Sequence, residues 1–243
     1  MGLRGYSAAV LAGLTSVAAA VDPSGPARTY ELCQRKTCPP TTGCPDGTIY
    51  VSQTDKKADF TSIQAAILSL GNNTTPGYIL IGAGNYTEQL NVTRPGPLTL
   101  LGQSSRVWQG LSYADIAINQ AVQNEVQVWW NSANFNATFT DNVYTGVLTI
   151  GPTLNATLTG SGPTGFPVPA GTPFGCTDFR AYNIDFRNEF APYSDGPAHA
   201  VGVSRSNAGF YSCGLYSWQD TVSRRVALLS NAADPLNLEY LAD

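Results

Sequence analysis

Short β-type runs that recur at one spacing, with turn residues between them, restrict this chain to few architectures. Tyr78-Ile79-Leu80-Ile81 is followed about 20 residues later by Leu98-Thr99-Leu100-Leu101, across Gly- and Pro-containing turns. The rhythm resumes at residues 147–150, 156–159, 179–184 and 200–203, the last two again about 20 residues apart. Runs this short cannot bury a face alone, so the repeat fits successive coils of an all-β parallel β-helix. Residues 48–51 add a short strand before the first coil. Phe60, Ile63, Ile67 and Leu70 fall on one face at helical spacing, with Gly71 as a stop. That spacing predicts a helix over residues 60–70, placed to cap the open end of a solenoid.

The 243 residues suffice for one sizeable domain, and only 12% are charged, against roughly 25% in an average soluble protein. Asn, Thr, Ser and Gly take their place, as suits stacked side-chain rows in a secreted β protein. A net charge of −4 offers no basic stripe to neutralise phosphates, so nucleic acid is not an expected partner. Arg4, an apolar run over residues 8–17 and Ala18-Ala19-Ala20 have the order of a secretory signal over residues 1–20. That run is too short to span a bilayer, so the mature protein is expected to be soluble and extracellular; a monomer is expected. Asn72, Asn73, Asn85, Asn91, Asn136 and Asn155 each begin an N-x-[ST] sequon, which marks a candidate glycoprotein. Asn72 and Asn73 overlap and are not both expected to be used.

Five cysteines are an odd count for an oxidising compartment. Cys33, Cys38 and Cys44 cluster in an irregular, Pro-rich leader over residues 21–47, where a local bridge is expected without a readable pairing. Cys213 lies among aromatics and reads as a buried apolar thiol. One histidine and no paired C-x-x-C make zinc unexpected, and no metal site or cofactor is implied. Val126-Gln127-Val128-Trp129-Trp130 is a candidate strand inside an insertion-like segment. Its tryptophans suit either packing beneath a loop or stacking on sugar rings. A Pro/Gly-rich stretch over residues 160–175 reads as a loop over one face of the helix.

Residues 196–222 concentrate the chemistry. The only histidine, His199, lies among small and branched residues, and the stretch ends on Trp218-Gln219-Asp220-Thr221. A carboxylate between an amide and a hydroxyl, just past a buried strand, can be both desolvated and hydrogen-bonded. Those are the conditions that tune an aspartate for general-acid work.

These residues also carry a resemblance. Ala200-Val201, Phe210-Tyr211-Ser212-Cys213 and Gln219-Asp220-Thr221 resemble the A-V, F-Y-x-C and Q-D-T blocks of the pectinesterase (pectin methylesterase) family. Asp59-Phe60-Thr61-Ser62-Ile63 and Gly84-Asn85-Tyr86-Thr87-Glu88 are similar to its F-x-T-I and G-x-Y-x-E blocks, the latter expected to fix a coil corner. The resemblance implies a right-handed, single-stranded parallel β-helix of the pectin-lyase kind. It implies hydrolysis of pectin methyl esters to pectate and methanol through an aspartyl acyl-enzyme, in cell-wall modification and pectin catabolism. Asp220 would be the general acid and Gln219 an oxyanion donor. His199 stands where the family has a second glutamine and could donate through a ring N–H; a strand histidine packed with Val201 and Val203 is the other reading. Trp218 and Thr221 would contact pectin (methyl-esterified homogalacturonan).

The family's nucleophile sits in a later D-F-[IV]-[FY]-G block, with an arginine later still. Asp178-Phe179-Arg180 and Asp185-Phe186-Arg187 precede Q-D-T and lack the aromatic-Gly, so they read as strand positions. The likeness covers residues 48–222 and leaves a β-helix incomplete at its C-terminal end. Residues 223–243 form a tail that does not match. Val222-Ser223 can be encoded GTG-AGT, also a usual intron start, so the tail reads as translated intron, an alternative end or a frameshift. A catalytically inactive pectin-binding remnant is therefore an alternative. A polygalacturonase-like glycosidase is another, but it needs clustered carboxylates and a G-H-G histidine, which this chain lacks.

Overall fold

The computed structural model describes residues 30–105, 124–158, 170–190, 196–219 and 222–225. Residues 1–20, read as a signal, and most of the 160–175 loop lie outside them. Among the described residues every pairing between strands is parallel, and the strands form three sheets. After β1 (Ile49–Val51), each coil gives one strand to each sheet. The first coil is β2 (Gly77–Ile81), β3 (Gly84–Thr87) and β4 (Leu90–Val92). The second is β5 (Leu98–Gly102), β6 (Val126–Trp129) and β7 (Leu148–Ile150). The third is β8 (Phe179–Tyr182), β9 (Ile184–Asn188) and β10 (Val201–Ser204). The fourth is β11 (Ala208–Tyr211), β12 (Gly214–Ser217) and β13 (Val222–Arg225). The sheets run β1-β2-β5-β8-β11, β12-β9-β6-β3 and β13-β10-β7-β4. This is the parallel β-helix that the spacing predicts.

The register stacks apolar residues in rows that form the core. Ile79, Leu100 and Ala181 align in the first sheet, Tyr86, Val128 and Phe186 in the second, Leu90, Leu148 and Val201 in the third. All nine are fully buried, and each larger side chain contributes roughly 1.5–3 kcal/mol of burial. The corner between β8 and β9 is the single residue Asn183, at φ 53°. Asparagine tolerates that left-handed conformation better than most residues. One coil earlier, Gly102 lies under this corner, and a Cβ there would stand 2.2 Å from the Asn183 carbonyl oxygen.

The helix spans Ile63–Ser69, shorter than predicted at its start because Phe60 bridges to Val51. Ser62 caps it, accepting from the Ala65 N–H, and Glu88 accepts from the Ile63 and Gln64 N–H groups. Glu88 thus fixes a corner, as expected. Ile63, Ala66 and Ile67 join the core, closing the first coil.

Residues 30–47, expected as an irregular leader without a core, are instead packed on the outer face of the first sheet. Cys33 is bonded to Cys44 and joins a second apolar cluster with Tyr50, Leu80, Leu101 and Tyr182. The outer row of the first sheet is itself apolar, and the leader shields it from water. Gln34 Nε2 donates to the Gly102 carbonyl, and Ser104 N–H to the Gln34 carbonyl. A second correction concerns Ala156 and Thr157, expected in a strand: they belong to the short helix Leu154–Thr157, whose cap Thr153 accepts from the Ala156 N–H. Cys213 is buried, as read. The expected boundary after Val222 falls inside β13, which pairs with β10 from Val222 to Arg225. Among the described residues, no helix is long and apolar enough to cross a membrane.

Candidate functional site

The parallel coil path brings the two motif segments together where the chain enters the third sheet. Between β12 and β13 the chain turns through Trp218 and Gln219, while the preceding coil enters β10 through Ala198-His199-Ala200. Ala198 N–H donates to the Gln219 carbonyl at 3.2 Å in an isolated antiparallel bridge. Ser217 Oγ lies within hydrogen-bond reach of the Ala198 and Gln219 carbonyls, and Gln219 N–H points back to that hydroxyl at 3.4 Å. One serine therefore pins both segments. Sequence reasoning missed it, because nothing in the motif marks the residue before Trp218.

Trp218 is 60% exposed and free to meet a ligand, while Gln219 is half-buried. His199 is 3% exposed. Its backbone N–H donates to Thr145 Oγ1 at 3.0 Å, and its backbone carbonyl accepts from Asn188 Nδ2 at 3.0 Å. The histidine is thus built into the corner that supports Ala198 and Gln219. Asp220 and Thr221 lie outside the described residues, so the structure gathers Trp218, Gln219 and His199 of the five site residues named from the sequence.

Asn188 is the hub beneath this corner. It is fully buried at the end of β9, with Nδ2 directed at the Ser132, Thr145 and His199 carbonyls and Oδ1 accepting from Ser132 N–H. Sequence reasoning missed this asparagine too. The two D-F aspartates lie elsewhere. Asp185 is buried in β9, where its carboxylate accepts from Asn124 Nδ2, Asn124 N–H and Gly214 N–H. Burial pushes its carboxyl above the usual aspartate range, against those hydrogen bonds. Asp178 pairs with Arg180 at 2.9 Å at the start of the first sheet's β8.

On the second sheet's outer face, the Arg187 guanidinium lies 5.1 Å from the Trp129 ring centre and 3.9 Å from that of Tyr216. It is paired with Glu189 at 2.5 Å and approaches Asp185 at 3.6 Å. Trp129 and Trp130 border a cleft of about 380 Å³ with Thr87, Asn131 and Ser132. Of the two fates left open for these tryptophans, packing holds in part for Trp130, which is half-buried and packs against the core, while Trp129 is also half-buried.

No family model matches the chain. Sequence relatives include the probable pectinesterase A of Neosartorya fischeri, 26% identical over 178 residues, covering 73% of this chain and 42% of that protein. Pectinesterase A of Emericella nidulans is 27% identical over 169 residues, covering 70% and 40%. The chain spans about two fifths of the length of these curated relatives. In fold it is similar to the pectin methylesterase of Aspergillus niger, with a TM-score of 0.50, 22% identity and coverage of 74% of this chain and 46% of that one. By sequence the chain is thus similar to fungal pectinesterases, and by structure it shares the fold of the Aspergillus niger enzyme.

Proposed function

We propose that this chain is the pectin-recognising part of a secreted pectinesterase, with residues 48–222 as its β-helix. The observation that carries the reading is the Ala198–Gln219 bridge, which sets the two motif segments side by side. Asp220 follows Gln219 directly in the sequence, and the family resemblance gives it the acid's role. Asp220 then serves as general acid to the departing methanol, and Gln219 donates to the oxyanion. His199, closed off from solvent, positions this pair. Trp218 offers a sugar-stacking face, and Thr221 completes the contact with methyl-esterified homogalacturonan.

The acyl-enzyme needs a carboxylate that attacks the ester carbon, but Asp178 precedes a strand of the first sheet and Asp185 lies in the second, whereas the Ala198–Gln219 bridge leads into the third. An acid without its nucleophile gives little rate enhancement. These 243 residues are therefore expected to bind methyl-esterified pectin and to release little or no methanol from it. The test is to purify the chain, measure its retention on methylated pectin, and assay methanol and reducing ends. Methanol release would overturn the inactive reading and require a nucleophile not named here. New reducing ends would favour a glycosidase instead. Neither retention nor product would sink the pectin reading.

A further inference from the structure

The cleft on the second sheet is not used by the proposed chemistry. Its lining of two indoles, two hydroxyls and one amide (Trp129, Trp130, Thr87, Ser132 and Asn131) combines the groups that hold a pyranose. Sugar C–H faces lie on aromatic rings, and sugar hydroxyls pair with polar side chains. Arg187 occupies one side of the Trp129 ring. Because Arg187 already faces Asp185 and Glu189, it offers no surplus charge to an acidic sugar. A neutral sugar fits.

Thr87 belongs both to this lining and to the sequon Asn85-Tyr86-Thr87. β3 alternates so that Tyr86 is fully buried, while Asn85 and Thr87 are exposed on the outer face. β3 is the edge strand of its sheet, which leaves room beside it. Its register sets Asn85 beside Gln127 and Thr87 beside Trp129. Asn85 is thus a diagonal neighbour of Trp129, at about 8 Å from strand spacing and rise, within reach of a sugar attached to its amide. Asn73, by contrast, is engaged: its Nδ2 donates to the Leu70 carbonyl, and its Oδ1 accepts from Thr75 and Arg94.

We infer that Asn85 is an N-glycan acceptor and that the first N-acetylglucosamines of its glycan lie in the cleft against Trp129. Asn85 Nδ2 bonds to the anomeric carbon of the sugar carried on a lipid pyrophosphate donor. The anomeric C–O bond breaks, lipid pyrophosphate leaves, and the amide nitrogen loses one proton. The inference rests on the chain entering the secretory pathway, as proposed from residues 1–20.

The experiment expresses the full chain in a secreting eukaryotic host, maps glycopeptides by mass spectrometry and records NMR spectra of the isotope-labelled glycan. Asn85 is expected to be occupied, and the N-acetyl methyl of its first or second sugar is expected to shift upfield under the indole ring current. In Trp129→Leu that shift should vanish while occupancy stays. If Trp129→Leu is not secreted, contacts between the N-acetyl methyl and indole protons in the wild-type chain decide. A secreted chain bare at Asn85, or a wild-type glycan with free-sugar resonances, overturns the inference alone. Retention in the cytosol overturns it together with the export reading.

Discussion

Two polar side chains, the half-buried Glu88 and the fully buried Asn188, tie neighbouring segments of the coils together. Glu88 reaches across from the first coil to cap the helix, taking Ile63 N–H, Gln64 N–H and Ser62 Oγ–H at 3.0, 2.9 and 2.7 Å. Glu88→Ala leaves those donors without an acceptor, and the expected loss is about 1–2 kcal/mol. Glu88→Gln should recover part of it, because the amide oxygen still accepts. Urea unfolding of both variants is the check, and equal losses would show that the carboxylate's charge, not its geometry, matters. Asn188 is more costly to remove, because its amide serves Ser132, Thr145 and His199 at once. Asn188→Ala is expected to cost about 2–4 kcal/mol. It should also loosen the Ala198–Gln219 bridge, read as faster amide exchange at Ala198. A loss confined to stability, with Ala198 unchanged, would separate this hub from the candidate site.

At the scale of elements, the leader is clamped by an ion pair far apart in sequence. Lys36 Nζ donates to Glu125 Oε2 at 2.7 Å, while Ser105 N–H and its hydroxyl meet Oε1. Burial alone would raise the Glu125 carboxyl, but the hydrogen bonds from Lys36 and Ser105 outweigh it and hold the carboxyl at about 2, from an ordinary 4.5. A depressed folded pKa stabilises the fold above the unfolded value and ceases to do so as pH falls through the folded one. Wild-type Tm should therefore fall more than that of Glu125→Gln between about pH 4.5 and 2. The difference should be small, because the pair is partly solvated. Parallel Tm curves would remove the clamp from the account. This contact was not legible in the sequence, since nothing marks Lys36 and Glu125 as partners. The coils were legible, because Ile79-Leu80-Ile81 and Leu98-Thr99-Leu100-Leu101 repeat one apolar pattern at one spacing. Ala156-Thr157 misled, because a capped turn of Thr and Ala has the same local composition as a short strand. At the site, the sequence pointed to the segments that hold His199, Trp218 and Gln219, through the A-V and Q-D-T blocks beside them. Ser217 and Asn188 were not legible, because their roles depend on which coil lies beside them.

For the molecule as a whole, a parallel β-helix has a consequence that a globular core does not. Each coil contacts only its neighbours, so stability is a sum of coil and interface terms and opening can start locally. The rows are not equally protected. Every residue of β5 and β9 is buried, whereas every residue of β11 and β12 is only half-buried. Amide hydrogen exchange is therefore expected to be slowest in β5 and β9 and markedly faster in β11 and β12. Phe186 makes the test sharper. It is fully buried in β9, in register with Val128 of β6 and Leu215 of β12. Phe186→Ala should cost roughly 3–5 kcal/mol of core packing. The lost protection should concentrate in β6, β9 and β12, with β2 and the capping helix less affected, because they lie beyond the coils in contact with Phe186. A single cooperative unit would behave differently, with every slow amide losing protection by the same factor. That outcome would show the coils to be coupled end to end, and the nearest-neighbour account of this fold would have to be given up.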